Sequence, residues 1–97
     1  MYTATMLYRF KEESFDEACE IWRSEVMEHA HSQPGFVRMQ LLIARPNALA
    51  MGTWEDNIFA RRFMETGVFK RLLDRLSSMV VASPEQTIWD LKYFMQK

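Results

Sequence analysis

The period of the hydrophobic positions changes several times along the chain, and each change predicts a new element. Residues 3–10 alternate between two faces and are rich in Thr and aromatic side chains, which predicts a strand. From 15 to 29 the apolar positions are three and four residues apart, which predicts an amphipathic helix. Ser14 and Glu17 have the spacing of a capping box at its start, and Pro34-Gly35 predicts its end.

Two further alternating segments follow the first helix. Residues 36–45 and 48–55 both read as strands, and Pro46-Asn47 between them predicts a turn, so this region is expected to form a hairpin. Residues 87–95 have the same character and predict a last strand. These assignments give the chain four strands.

A second helix is predicted between the hairpin and the last strand. Its apolar stripe runs over residues 59–80, Asp56 or Asn57 is the expected cap, and Thr66-Gly67 is expected to divide it in two. The order is therefore β-α-β-β-α-β. We expect an α+β, ferredoxin-like domain in which two helices cover one face of a four-stranded antiparallel sheet.

Both faces of the predicted sheet carry apolar side chains. In the second strand one face has Val37, Met39, Leu41 and Ile43, and the other has Phe36, Leu42 and Ala44 beside Arg38 and Gln40. Two helices can cover only one of these faces. A second copy of the sheet is the simplest cover for the other, so a face-to-face homodimer is expected.

Composition narrows the function classes. The chain has 97 residues, which suits one domain, 1–97, and its net charge of −1 offers no basic excess for nucleic acid. No apolar run is long enough to span a membrane. Cys19 is the only cysteine, and the N-terminus lacks the layout of a signal peptide, so a cytoplasmic protein is expected.

Three short motifs carry a family resemblance over nearly the whole chain. They are Pro34-Gly35-Phe36 entering the second strand, Trp54-Glu55-Asp56 closing the third, and Thr66-Gly67-Val68-Phe69 within the second helix. In this order the chain resembles the antibiotic-biosynthesis-monooxygenase-like domains of the dimeric α/β-barrel superfamily. The resemblance implies a small dimer. Some members oxidise aromatic anthrones or quinols with O₂ and no cofactor, others degrade haem, and others isomerise small molecules or have no assigned role.

The resemblance implies that Trp54 lines a pocket between sheet and helices, where its indole N–H can bind a ligand oxygen. The alternative is a Trp that only packs the second helix onto the sheet. Tyr8, with its phenol on an otherwise apolar strand face, is a candidate for binding a substrate oxygen or a backbone group. His29 is a candidate base at the pocket mouth, or a residue that interacts with the C-terminal end of the helix dipole.

The remaining expectations concern the lining and the cofactor. Met6, Phe63, Phe69 and Arg38 are expected to contact the substrate, although Arg38 is equally suited to the dimer interface, with Asp90 as a candidate partner. The family's haem ligation needs a His in the second helix, where this chain has none. Two His at positions 29 and 31 do not share a helix face, so no metal site is expected.

These features favour a cofactor-free monooxygenase acting on a small aromatic or quinol-type molecule. A deprotonated quinol can pass an electron to O₂ directly, so the protein needs a dry pocket, a base or oriented water, and hydrogen bonds for the anion. The alternative is a non-catalytic ligand-binding or dimerisation module whose pocket is filled by Phe63, Phe69 and Met64. Haem binding through other ligands is a third reading.

Overall fold

The fold is described from a computed structural model that covers residues 1–97. Its strands are β1 (Tyr2–Arg9), β2 (Phe36–Ala44), β3 (Asn47–Trp54) and β4 (Glu85–Asp90). Its helices are α1 (Phe15–Trp22), α2 (Glu28–Ala30), α3 (Asn57–Glu65) and α4 (Val68–Leu76). A 3₁₀ turn over Glu12–Ser14 precedes α1, and a π-helical segment over Arg23–Met27 joins α1 to α2.

The four strands form one antiparallel sheet in the order β2-β3-β1-β4, and the helices cover one of its faces. This confirms the predicted ferredoxin-like plan. The last strand lies earlier than predicted: β4 ends at Asp90 because its partner strand β1 begins at Tyr2, directly opposite. Residues 91–97 therefore have no strand to pair with in this chain. No helix is long and apolar enough to cross a bilayer.

The helix boundaries agree with the sequence at the second helix and differ at the first. Asp56 caps α3 by accepting a hydrogen bond from the Ile58 amide. The predicted second helix is divided into α3 and α4 at Gly67, whose φ is +83°. The predicted capping box at Ser14 is wrong. Ser14 ends the 3₁₀ turn with helical backbone angles, and its side chain makes no capping bond. A cap needs extended backbone there, which the preceding turn prevents.

The sheet face that meets the helices holds the core. Alternate residues of β1, ending in Tyr8, point to this inner face, and Phe10 follows them just beyond the strand. The largest fully buried side chains are Trp22, Tyr8, Phe10, Phe63, Leu72, Leu76, Val26 and Val68. The opposite face, here called the outer sheet face, carries Leu7, Leu49, Met51 and Trp89 among Thr side chains. No helix covers it.

Phe36 lies on the opposite face from the one its alternation predicts. A bulge between Phe36 and Arg38 shifts the pairing of β2 with β3 by one residue. Because a one-residue shift reverses the faces, Phe36 joins Met39 and Leu41 against the core, and its ring meets Trp54 edge to face at 5.6 Å.

Glu25 ties the π-helical segment to α4. Its carboxylate lies 2.6 Å from Arg75 Nη1 and 3.9 Å from Arg71 Nε, and its side chain is only 18% exposed. Partial burial weakens solvent screening, so this pair contributes more than an exposed ion pair does. It fixes the helix that carries Trp22 and Val26 against α4.

We expect Glu25→Gln to lower the free energy of unfolding by about 1 kcal/mol, because both arginines lose their charged partner. Glu20→Gln is the matched control: Glu20 also pairs with an arginine, Arg23, but on an exposed surface. Urea denaturation of both variants tests the difference. Equal losses from the two substitutions would show that the Glu25 pair has no special role.

Candidate functional site

A cavity lies between the inner sheet face and the helices. The sheet contributes Ala4, Thr5, Met6, Met39, Ala50, Gly52, Trp54 and Gln86 to its lining. The helical side contributes Trp22, Val26, Ala60, Phe63, Met64 and Phe69. Of these 14 residues 11 are hydrophobic, and none has a charged side chain. We call this cavity the inner pocket. An apolar cavity with few polar groups is the usual form of a small-molecule site.

Three aromatic rings build one wall of the inner pocket. Trp54 and Phe63 have ring centroids 5.2 Å apart at 37°, and Phe63 meets Phe69 edge to face at 5.8 Å. Trp54 and Phe63 are each no more than 3% exposed, whereas Phe69 is half-buried. The wall therefore presents flat apolar surface with one ring, Phe69, nearer to solvent.

Gly52 leaves room on the floor of the pocket, beside Met39 and Trp54. A Cβ at this position would stand 3.1 Å from the Met39 methyl and 3.5 Å from the indole nitrogen of Trp54. Any larger residue therefore projects into the space that the indole N–H faces. The position combines a glycine in a strand with close approach of neighbouring groups, which is a common reason for glycine there.

The inner pocket is narrow. Its volume is about 40 Å³, whereas an apolar cavity that holds one benzene measures about 150 Å³. Met64, at 41% exposure, is the most exposed apolar residue of the lining. Because a methionine side chain has three rotatable bonds, its movement is the simplest way to widen the pocket.

The structure brings together four of the predicted site residues. Trp54, Phe63, Phe69 and Met6 all line the inner pocket. Trp54 is also buried against Phe36 and Phe63, so the packing role and the pocket role coexist in one side chain. The role of these four residues as substrate contacts stays a prediction.

Tyr8 does not line the inner pocket. It is fully buried one step beyond Met6 on the same face of β1, and its ring stacks on Phe10 at 5.4 Å. Burial raises the pKa of its phenol well above the usual value, and the neighbouring Trp22 side chain offsets this only in part. The phenol is therefore protonated at neutral pH.

His29 lies outside the pocket, contrary to the predicted position at its mouth. Its side chain is exposed, and Nδ1 donates to the Glu25 carbonyl oxygen at 2.8 Å. The π-helical segment explains the difference. Its turn is wider than an α-helical turn, so the buried stripe passes from Trp22 to Val26 and then to Ala30, and His29 rotates away.

Arg38 also lies away from the pocket. It is exposed on β2, where it stands opposite Thr53 of β3 in the strand pairing. Both residues lie on the outer sheet face. Asp90 cannot pair with it, because β2 and β4 are the two opposite edges of the sheet.

No three His, Cys, Asp or Glu side chains converge anywhere in the structure. Burial raises the pKa of the Cys19 thiol, and the negative charge of the nearby Asp16 raises it further. The raised pKa keeps Cys19 in the unreactive thiol form.

Sequence reasoning did not name several residues of the lining, of which Trp22 and Gly52 are the most informative. Trp22 belongs to the predicted helical stripe, which marks it as buried but gives no sign that it borders a cavity. Met64, which the non-catalytic alternative placed inside the pocket, belongs to the lining and is exposed. Gly52 could have been found from the sequence, because a glycine within an alternating strand indicates close approach of neighbouring groups.

The fold and pocket together define a ferredoxin-like α+β domain with an apolar pocket between its sheet and helices, and solved structures place this fold among those of antibiotic biosynthesis monooxygenase domains. SnoaB, a cofactor-independent oxygenase from Streptomyces nogalater, is 18% identical, with a TM-score of 0.82 over 99% of this chain and 97% of its own. The ActVA-Orf6 monooxygenase of Streptomyces coelicolor, solved with nanaomycin D, is 15% identical, with a TM-score of 0.82 over 99% of this chain and 91% of its own.

A third structure, described as an antibiotic biosynthesis monooxygenase, is 16% identical, with a TM-score of 0.81 over 96% of this chain and all of its own. No protein-family model and no curated protein sequence matches the chain. At these identities the likeness establishes the fold, and the chemistry has to be argued from the site.

Proposed function

We propose that the protein is a cofactor-independent monooxygenase acting on a small, flat, reduced aromatic molecule of quinol or anthrone type. The observation that carries the proposal is the inner pocket, in which Trp54, Phe63 and Phe69 form an aromatic wall and no charged side chain is present. Flat apolar rings fit such a wall. The fold shared with SnoaB, a cofactor-independent oxygenase by name, supports the same reaction class.

The reaction balances without an added reductant for both substrate types. With a quinol, one oxygen atom enters a ring C–H bond and the other leaves as water with the two phenolic hydrogens, which gives a hydroxyquinone. With an anthrone, the oxidised position is a CH₂ group between aromatic rings. O₂ supplies one oxygen atom to the new C=O group, and the other leaves as water with both hydrogens of the CH₂ group. The deprotonated substrate passes the first electron to O₂, and the other three electrons also come from the substrate. The protein contributes position and exclusion of bulk water, and the Trp54 N–H offers a hydrogen bond to the substrate oxygen.

A non-catalytic role is the second candidate, and the small volume of the pocket favours it. In this reading Phe63, Phe69 and Met64 occupy most of the space, and the domain binds a small ligand or serves only in assembly. The two candidates differ in one property that can be measured directly, the consumption of O₂ in the presence of a bound reduced aromatic.

We expect O₂ uptake with a panel of quinols and anthrones in metal-free, flavin-free buffer. Gly52→Val should lower the rate about tenfold or more, because its side chain fills the floor of the pocket below Trp54. Trp54→Phe, which keeps a ring but removes the N–H, should lower it by a smaller factor. An oxygen electrode gives the rates.

The control variants lie outside the pocket. Thr87→Val places the same side chain on the outer sheet face, and His29→Ala removes an exposed imidazole; both should leave the rate unchanged. Aromatic ligands that quench tryptophan fluorescence without any O₂ uptake would replace the oxygenase proposal with the binding-module reading.

The outer sheet face supports a proposal about assembly. Leu7, Leu49, Met51 and Trp89 lie on it without cover from a helix, and the segment after β4 exposes Leu91, Tyr93, Phe94 and Met95. Exposed apolar side chains grouped on one face in this way are typical of an interface. We therefore propose that two copies of the chain pair through this face, in an isologous dimer.

A further inference from the structure

Two polar atoms in the core have no hydrogen-bond partner. They are Tyr8 Oη and Trp22 Nε1, and the two residues are 0% and 1% exposed. Buried polar side-chain atoms are almost always paired in folded proteins, so each exception calls for an explanation. Here both exceptions occur in one place.

Both atoms are donors. The indole N–H can only donate, whereas the phenol, which is protonated at neutral pH, can donate one hydrogen bond and accept another. Even an approach of the Trp22 N–H to the phenolic oxygen would leave the phenolic hydrogen without an acceptor. The Tyr8–Trp22 donor pair therefore lacks an acceptor atom.

The donor pair adjoins the inner pocket through Trp22. The Trp22 side chain lines the pocket, and Tyr8 follows the lining residue Met6 on the same face of β1. Opposite Tyr8 stands Ala48, next on its face to the lining residue Ala50. Tyr8 itself lies one position behind the lining, so the pair is the polar group nearest to this end of the β1 side of the cavity wall.

A local irregularity of the helix is found at the same point. The π-helical segment begins directly after Trp22 and contains Val26, the other residue of this helix that lines the pocket. π-helical turns are rare and occur often at functional sites. This segment sets the orientation of both side chains toward the sheet.

From this arrangement we infer that Tyr8 and Trp22 bind one acceptor oxygen of an uncharged, flat ligand, such as an aromatic ketone or a quinone carbonyl. The inference rests on the proposed function in so far as it uses the same pocket. Two neutral donors suit a carbonyl oxygen. A carboxylate or phosphate would lose its hydration without gaining an opposite charge, since no cationic side chain lines the pocket.

A ketone satisfies this site better than water does. A water molecule would accept both hydrogen bonds but would bring two hydrogens of its own into surroundings that include Met6, Phe10 and Ala48. Ordered waters normally need two to four polar partners. A carbonyl oxygen accepts from both donors and adds no donor.

The test compares indanone with indane, two bicyclic molecules that differ by one carbonyl oxygen and that do not react with O₂ under these conditions. We expect the wild-type protein to bind indanone about tenfold more tightly than indane. Tyr8→Phe should remove this preference and leave the affinity for indane unchanged. Tyr93→Phe, which alters an exposed phenol, is the matched control and should change neither affinity.

Two further measurements separate ligand binding from a structural role. In the absence of ligand, Tyr8→Phe should raise the Tm by a few degrees, because it removes an unpaired buried hydroxyl. In the NMR spectrum the indole N–H signal of Trp22, assigned through Trp22→Phe, should shift with indanone and stay in place with indane.

Equal affinities for indanone and indane, unchanged indanone binding in Tyr8→Phe, a lowered Tm in that variant, or binding of neither compound would each overturn the inference. Because indanone is not turned over, these outcomes are independent of oxygenase activity. Indanone binding through Tyr8 without O₂ uptake from any quinol would keep the inference and reject the proposed reaction.

Discussion

Gly35→Ala is expected to destabilise the domain by about 3 kcal/mol or more, because two costs add at this position. Gly35 has a φ of +74°, where a side chain costs about 1–2 kcal/mol. A Cβ there would also stand 2.7 Å from Phe59 Cβ and overlap the Phe59 ring. Overpacking of this kind costs about 1–3 kcal/mol in addition.

The backbone at Gly35 has little freedom to relieve that overlap. Its carbonyl oxygen accepts a hydrogen bond from the Glu55 amide at 2.8 Å, directly after Trp54. Moving the loop would break this bond and shift Phe36 away from Trp54. Since a domain of this size has a total stability of about 5–10 kcal/mol, the variant should lose more than about 10 °C of Tm.

Gly67→Ala is the matched control for this prediction. Gly67 has a similar φ, +83°, but a Cβ there meets only the flexible end of Arg71 at 3.4 Å. It should therefore cost about 1–2 kcal/mol, which is the backbone strain alone. In the Phe59→Ala background, which removes the ring but keeps the Cβ, Gly35→Ala should cost clearly less than in the wild-type protein, and a cycle with no coupling between Gly35 and Phe59 would refute the steric explanation.

Leu49→Glu is expected to convert the proposed dimer into a monomer. Leu49 lies on β3, one of the two central strands, between Leu7 and Leu42 on the outer sheet face. In an isologous interface the substitution places a charge on the contact face of both copies, and burying these unpaired like charges costs several kcal/mol. The dissociation constant should therefore rise by about a hundredfold or more.

Sedimentation velocity at micromolar concentration measures this change. The wild-type chain should sediment at twice its mass of 11.6 kDa, and Leu49→Glu at that mass. Ile58→Glu is the control, because Ile58 is an exposed apolar residue of α3 on the helical side. A wild-type monomer, or equal dissociation by both variants, would reject the outer face as the interface.

Periodicity predicted the features of this fold that depend on regular elements. The alternation in β1 and β3, the Asp56 cap and the break at Gly67 are all local properties, and each was found as predicted. The place of Trp54 in the pocket wall was instead implied by the family resemblance, while the helical stripe and the Thr66-Gly67 break supplied Phe63 and Phe69.

The errors occurred where one extra residue enters a regular element. The bulge after Phe36 turned that ring toward the core, and the wide π-helical turn moved the buried stripe from His29 to Ala30. Neither irregularity changes the hydrophobic pattern enough to be seen in one sequence. The end of β4 was missed for a different reason: Leu91 and its successors are apolar, but β1 is too short to pair with them.

The absence of any acid or base in the lining of the inner pocket has a kinetic consequence. An oxygenase with such a pocket has no group of its own that titrates during proton removal, so the ionisation constant of the bound molecule determines the pH–rate profile. Compounds of equal shape should then rank by acidity, and the rate for each should level off only above its own ionisation midpoint. Selectivity in this domain would come from the carbon acid itself as much as from the fit of its rings.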